Sequence, residues 1–264
     1  MLRVLPVAAV ALAFARAAVA DTAYVKPSTF APEMDQTITA ELAFNDVCCE
    51  PKYAVRADSF TVVSPDGAQT RPDRIETFAT HTVLEHKISL AGTTRLSTGE
   101  RLGRKGEYVQ IDGQYHLINS PDATLTEIPD GTPILTSQTA TLSDAYVTIG
   151  EPDWLSIETR LGRLSILTDT HPNRAEIGKR FTGEVRFDGV LVPNLQIELT
   201  NEMQRLHGKP PQHTKTDADG RFELSFDRPG THLIMVRMQA PAPAGAETYI
   251  RSYTTSLTLS VPPA

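Results

Sequence analysis

The residues of this chain that could do chemistry are few and scattered. Most distinctive is Cys48-Cys49-Glu50, whose two cysteines are the only ones in 264 residues. Thiolates are soft ligands that favour copper(I) or zinc, and nickel also accepts sulfur. Neighbouring Cα atoms lie about 3.8 Å apart across a trans peptide, closer than the usual disulfide span of about 4.4–6.8 Å. Three states are therefore open: a vicinal disulfide, two free thiols, or a pair of metal ligands. Adjacent side chains point to opposite faces of an extended backbone, so both sulfurs would need a turn to reach one ion.

The seven histidines all follow residue 20. His81 and His86 are five apart, an odd separation that puts them on opposite faces of a strand. His86 shares its face with Leu84 and Ile88, which reads as a packed core histidine, whereas His81 and Glu85 fall together on the polar face. His207 and His213 bracket a turn-rich stretch that could bring them together, although two imidazoles are too few for a defined zinc-type site. The candidate metal ligands are thus Cys48, Cys49, His81, Glu85, His207 and His213, for nickel, cobalt, copper or zinc. His171, before Pro172, carries no information alone.

Other chemistries find less. Asp217-Ala218-Asp219-Gly220 opens like a calcium loop, but position twelve is Arg228 where that loop needs a closing Glu; it reads as a hairpin turn. There is no G-x-S-x-G elbow, no H-E-x-x-H and no phosphate-cradling glycine loop, so the chain does not read as an enzyme. Sugar binding by a sheet face would need exposed aromatics. One Trp and 6% aromatic residues offer little, with Tyr108, Tyr115 and Trp154 the side chains to inspect.

The elements that must position these residues are strands. Met1-Leu2-Arg3, an apolar run from Val4 to Ala15, and Ala18-Val19-Ala20 have the layout of a secretory signal peptide cut before Asp21. The run is shorter than the roughly 20 apolar residues of a membrane span. No later stretch approaches that length, so the mature chain should not cross a membrane. The leader carries two arginines, so 25 basic residues become 23 against 32 acidic ones, a net −9. That balance disfavours nucleic acid as a partner. Thr37 to Phe44 alternates polar and apolar, as do His81 to Leu90 and Phe181 to Phe187, which is the strand period. Asp112-Gly113 between two short alternating runs is a strong hairpin signal, and Ser64-Pro65-Asp66-Gly67 is turn chemistry. The best candidate for a short helix is Thr139–Val147. A boundary falls within Glu151–Arg163. The expected fold is all-β: a leader at 1–20, then two tandem antiparallel β-sandwich domains at 21–158 and 159–264, the second transthyretin- or Ig-like.

Phe187-Asp188-Gly189-Val190-Leu191-Val192-Pro193-Asn194, Thr216-Asp217-Ala218-Asp219-Gly220-Arg221-Phe222, Asp227-Arg228-Pro229-Gly230-Thr231-His232 and Ser252–Leu259 together resemble the transthyretin-like, carboxypeptidase-regulatory sandwich that ends bacterial DUF4198 proteins. The resemblance is close in the C-terminal third and looser before it. It implies a periplasmic accessory protein of nickel or cobalt uptake, working with a metal ion, a membrane transporter or an outer-membrane receptor. The alternative is an envelope module that is structural or binds proteins, with no metal. Members often begin the mature chain with a histidine, whereas cleavage here would expose Asp21-Thr22.

Overall fold

The computed structural model describes residues 21–263 apart from 47, 121, 122, 124, 126, 208 and 209, with backbone alone for 205 and 207. The expected leader lies outside the described residues. In chain order the first strands are β1 (Thr22–Pro27), β2 (Gln36–Asn45), β3 (Tyr53–Ala54), β4 (Thr61–Val63), β5 (Gln69–Thr70) and β6 (Arg74–Thr77). They are followed by β7 (Thr82–Ile88), β8 (Gly92–Ser97), β9 (Arg101–Ile111), β10 (Gln114–Ile118) and β11 (Ile134–Ile149). After a helical turn, α1 (Leu155–Glu158), come β12 (Leu164–Thr168), a 3₁₀ turn at Pro172–Arg174, β13 (Arg180–Phe187), β14 (Val190–Leu191) and β15 (Gln196–Asn201). The chain ends through α2 (Gln204–His207), β16 (Gln212–Lys215), β17 (Arg221–Ser225), β18 (Gly230–Pro241) and β19 (Ile250–Val261).

The fold is all-β, and its turns form where their residues require. Asp112 and Gly113 both take positive φ, 51° and 78°, the primed turn that matches strand twist, and they close the β9–β10 hairpin with Gln114 opposite Ile111. Asp188 and Gly189 do the same between β13 and β14. At Asp217–Gly220 the Asp217 carboxylate accepts from the amides of Asp219 (2.8 Å) and Arg221 (2.9 Å). This is an Asx-type turn that spends its oxygen on backbone, as the hairpin reading requires. Along β13, Phe181, Gly183 and Val185 are buried on one face. A Cβ on Gly183 would stand 2.4 Å from the Leu167 carbonyl oxygen and 2.7 Å from Phe222 Cζ, so only glycine fits there.

Three sheets are built by the described residues. Five strands form the first, in the order β1-β2-β7-β6 with β3 on β2, and four form another around β12-β13-β14 with β17 on β13. Between them runs a ten-stranded sheet, β16-β15-β18-β19-β11-β8-β4-β5, with the β9–β10 hairpin on β11. One core packs the first sheet on this central sheet, with Val25, Ile38, Leu42, Val62, Leu84, Leu96 and Val147 among its members. The second core packs the four-stranded sheet on the remainder, with Leu164, Phe181, Val185, Phe222, Val236 and Leu257. β11 serves both: Ala140 and Tyr146 enter one core, Ala145 and Val147 the other, from opposite faces because side chains alternate.

One expectation is corrected here. Thr139–Val147 is the middle of β11, not a helix. It is buried from Ala140 to Thr148, and a strand covered on both faces loses the polar–apolar alternation that would reveal it. Pairing among the named strands is antiparallel as expected, with one parallel addition: β11 runs alongside β19, Ser137 opposite Ile250 through Ala145 opposite Thr258. The two sandwiches therefore share a continuous middle sheet.

Side chains reinforce that junction. Ser256 Oγ donates to the Ala23 carbonyl at 2.6 Å and lies 2.6 Å from Ser143 Oγ. Arg237 donates to Thr22 Oγ1 at 2.7 Å, and Lys26 pairs with Glu202 at 3.0 Å.

Candidate functional site

Cys48 and Cys49 sit in the turn after β2, where Cys49 takes a positive φ of 66°, and they are joined to each other as a disulfide. Both are buried, in a small cluster with Tyr24, Ala43 and Leu233. Leu233 lies on the face of β18 opposite Ile234 and Val236, so the cysteine turn plugs the seam between the first sheet and β18. Tyr24 donates to Glu41 at 2.6 Å; burial, then that hydrogen bond, pushes its phenol far above its ordinary value.

The other sequence candidates stand apart, each with neighbours of its own. His81 precedes β7 and stacks on Phe78 with ring centroids 5.1 Å apart, its Nδ1 3.0 Å from Thr80 Oγ1. Glu85 faces Arg74 at 3.9 Å. His213 is exposed on β16, 3.1 Å from Gln196 Nε2, with Glu198 as its register partner. The side chain of His207 lies outside the described residues. Among the described residues no three His, Cys, Asp or Glu side chains gather as a metal site would require. His86 lies inward with Leu84 and Ile88 as its spacing implies, although it is half-buried, 3.3 Å from Asp73.

Sequence reasoning missed the buried polar groups. His171 caps the 3₁₀ turn, its Nδ1 accepting from the Asn173 amide at 3.1 Å. Its Nε2 lies 3.0 Å from Thr93 Oγ1 and 3.1 Å from the Asp153 carbonyl. Burial pulls its pKa down, against the opposing pull of Asp153. His232 is likewise buried, edge-on to Phe226, and burial pulls it down too. Arg95 pairs with Asp144 at 2.6 Å, both of them buried. The guanidinium also donates to the Thr159 carbonyl at 2.5 Å and stands 5.8 Å from the Tyr146 ring. Pro172 at the first position of the 3₁₀ turn is a start signal that could have been read; the Arg95–Asp144 pairing across β8 and β11 has no local signal.

Among the described residues, Pro65, Asp66, Leu90, Ala91, Asp153, Trp154 and Leu155 line a shallow depression of about 580 Å³. Its walls come from three places that packing brings together. The Ser64–Gly67 turn closes through Gly67 N donating to Ser64 O at 2.9 Å. A Cβ on Gly67 would sit 3.2 Å from Leu155 Cδ2, and one on Gly92 2.0 Å from Asp153 Oδ2, so both glycines permit the approach. Asp153 is fixed by reciprocal bonds, its Oδ2 accepting from Thr93 N at 3.0 Å and its amide donating to Thr93 Oγ1 at 3.2 Å. Trp154 is braced from behind by His171, edge-on at 5.2 Å. Leu90, Trp154 and Leu155 remain 45%, 39% and 48% exposed, an apolar grouping of the kind that marks binding surfaces. Trp154 was one of the aromatics singled out for sugar binding; Leu90, Leu155 and the two aspartates were not anticipated.

A family model described as "Domain of unknown function (DUF4198)" matches residues 18–240. No curated protein matches. Among solved structures, the adhesin InvE of Yersinia pseudotuberculosis is 16% identical, with 90% of this chain and 58% of that chain covered, at a TM-score of 0.21. This chain thus spans 58% of that adhesin's length. The D0-D1 domain of intimin is 13% identical over 91% of this chain and 98% of that one, at 0.23. The fibronectin(III)-like modules of Clostridium thermocellum CbhA are 10% identical over 90% and 94%, at 0.21. At such TM-scores none of these likenesses carries an argument.

Proposed function

Since the chain belongs to the DUF4198 family, whose description assigns no function, we propose from its geometry that it is an exported, non-catalytic docking module of the cell envelope. It would work in the periplasm beside a transporter or an outer-membrane receptor. The observation that carries this reading is the exposed grouping of Leu90, Trp154 and Leu155 around a depression whose walls are held by hydrogen bonds. A shaped apolar patch on a rigid frame suits a protein partner. Tyr24, Tyr146, His171 and His232, whose protonation burial perturbs, sit among structural contacts and do not converge on a cleft.

Direct ion capture, which the family resemblance suggested, would require the candidate ligands to converge. Cys48 and Cys49 spend their sulfurs on each other, and His81, Glu85 and His213 each have other partners. Docking is the reading this arrangement favours. The test is affinity capture from envelope extracts in chelator-treated buffer, with wild-type protein and Leu155→Glu side by side. A stoichiometric protein held by wild type and lost in the variant is expected. Capture that vanishes with chelator and returns with nickel or cobalt, or that ignores the substitution, would refute the reading.

A further inference from the structure

We propose that the Trp154 depression receives a cationic side chain, lysine or arginine, carried on a segment of the partner protein; this rests on the docking reading and names the chemistry of the partner. The depression pairs an apolar floor with two carboxylates. Neither Asp66 nor Asp153 has a Lys, Arg or His ion-pair partner among the described residues, so both charges are open to a partner's cation. Asp66 Oδ1 accepts only from the Ala68 amide of its own turn, at 3.1 Å. Asp153 Oδ2 accepts from Thr93 N and its Oδ1 is buried with no hydrogen-bond partner among the described residues, so Asp153 contributes the charge of its carboxylate to the wall of the depression. Trp is the aromatic ring that holds cations best, and the brace from His171 fixes the indole in place. Leu90, Leu155 and Pro65 offer apolar surface along which the methylene stem of a long basic side chain lies well. The site is shallow and open, which suits a side chain presented by a larger surface better than a free small molecule that would need enclosure on most sides.

Trp154 is the only tryptophan of the chain, so its fluorescence reports on this place alone. The mature protein is titrated with a short peptide carrying one arginine between apolar residues. Parallel arms use the same peptide with neutral citrulline in place of arginine, free arginine, and tetramethylammonium. Saturable change in Trp154 emission with the arginine peptide is expected, with citrulline weakening it by about fivefold or more and Asp66→Asn or Asp153→Asn each by about threefold, in keeping with exposed cation–π and ion-pair strengths. Asparagine keeps an acceptor for Ala68 N or Thr93 N, so both variants should fold; unchanged thermal melting is the control, and Asp66→Asn, on the outer turn, carries the test if Asp153→Asn melts early. Equal binding of the citrulline peptide, indifference to both substitutions, or no saturable signal overturns the proposal. Free arginine or tetramethylammonium binding as tightly as the peptide overturns the assignment to a partner segment. Capture of a partner that depends on Leu155, combined with no response to basic peptides, sinks the cation chemistry and leaves docking standing; loss of both sinks both.

Discussion

Removing the carboxylate of Asp144 should be among the most damaging single substitutions this protein can suffer. Its partner Arg95 is 4% exposed and Asp144 5%. Burial disfavours the guanidinium charge, and the Asp144 carboxylate is the foremost group opposing that. With Asp144→Ala the charge stays buried, left with the Thr159 carbonyl and the face of Tyr146. Breaking one side of such a pair costs about 3–5 kcal/mol. At about 2–4 °C per kcal/mol for a chain of this size, the melting temperature should fall by about 6–20 °C. The pair is also imperfect, because Arg95 Nε and Asp144 Oδ1 have no hydrogen-bond partner among the described residues. Replacing both ends with apolar residues, Arg95→Met with Asp144→Leu, should therefore be far milder than the single change, within about 2 kcal/mol of wild type. Urea unfolding of wild type, Arg95→Met, Asp144→Leu and the double variant, together with Asp144→Ala and with calorimetric melting alongside, supplies the numbers. A single substitution costing under about 1 kcal/mol, or a double costing the sum of its parts, would refute the reasoning.

Three further outcomes follow from the same frame. His171 and His232 have folded pKa values below the ordinary 6.5 because they are buried. Their neutral forms are the folded ones, so the stability they contribute is present above about pH 6.5 and declines as pH drops below it; melting scans from pH 7.5 to 5 should show this, and His171→Gln with His232→Asn should flatten the slope. Leu233→Ala opens a hole beside the Cys48–Cys49 turn, costing about 2–5 kcal/mol by urea unfolding and raising amide hydrogen exchange in β1 ahead of β13. Gly183→Ala forces a methyl group to 2.4 Å from the Leu167 carbonyl, and overpacking of about 1–3 kcal/mol or more should appear as a lowered urea midpoint.

What sequence reveals about this fold depends on how local its cause is. Asp112-Gly113, Asp188-Gly189 and Asp217–Gly220 are legible because each turn is dictated by its own residues. The Phe181–Phe187 strand is legible because one face is wetter than the other. β11 is the opposite case: both faces are covered, its alternation is erased, and its parallel partner lies over a hundred residues away, as Ser143 and Ser256 show at a separation of 113. The depression was half visible. Trp154 stood out as a lone large aromatic, but its companions Asp66 and Leu90 belong to distant turns that only the shared sheet brings alongside. The metal candidates illustrate the same limit, since residue type marks a possible ligand while convergence is decided by packing.

The most direct test of the docking account is photo-crosslinking in the native envelope, with a photoreactive residue placed at Leu155 in one protein and at Val190 in another. Both positions are exposed, Val190 at 70% on β14. A discrete protein adduct from position 155, unchanged by chelator and absent from position 190, is the expected result. No adduct from 155, or the same smear from both positions, would contradict it.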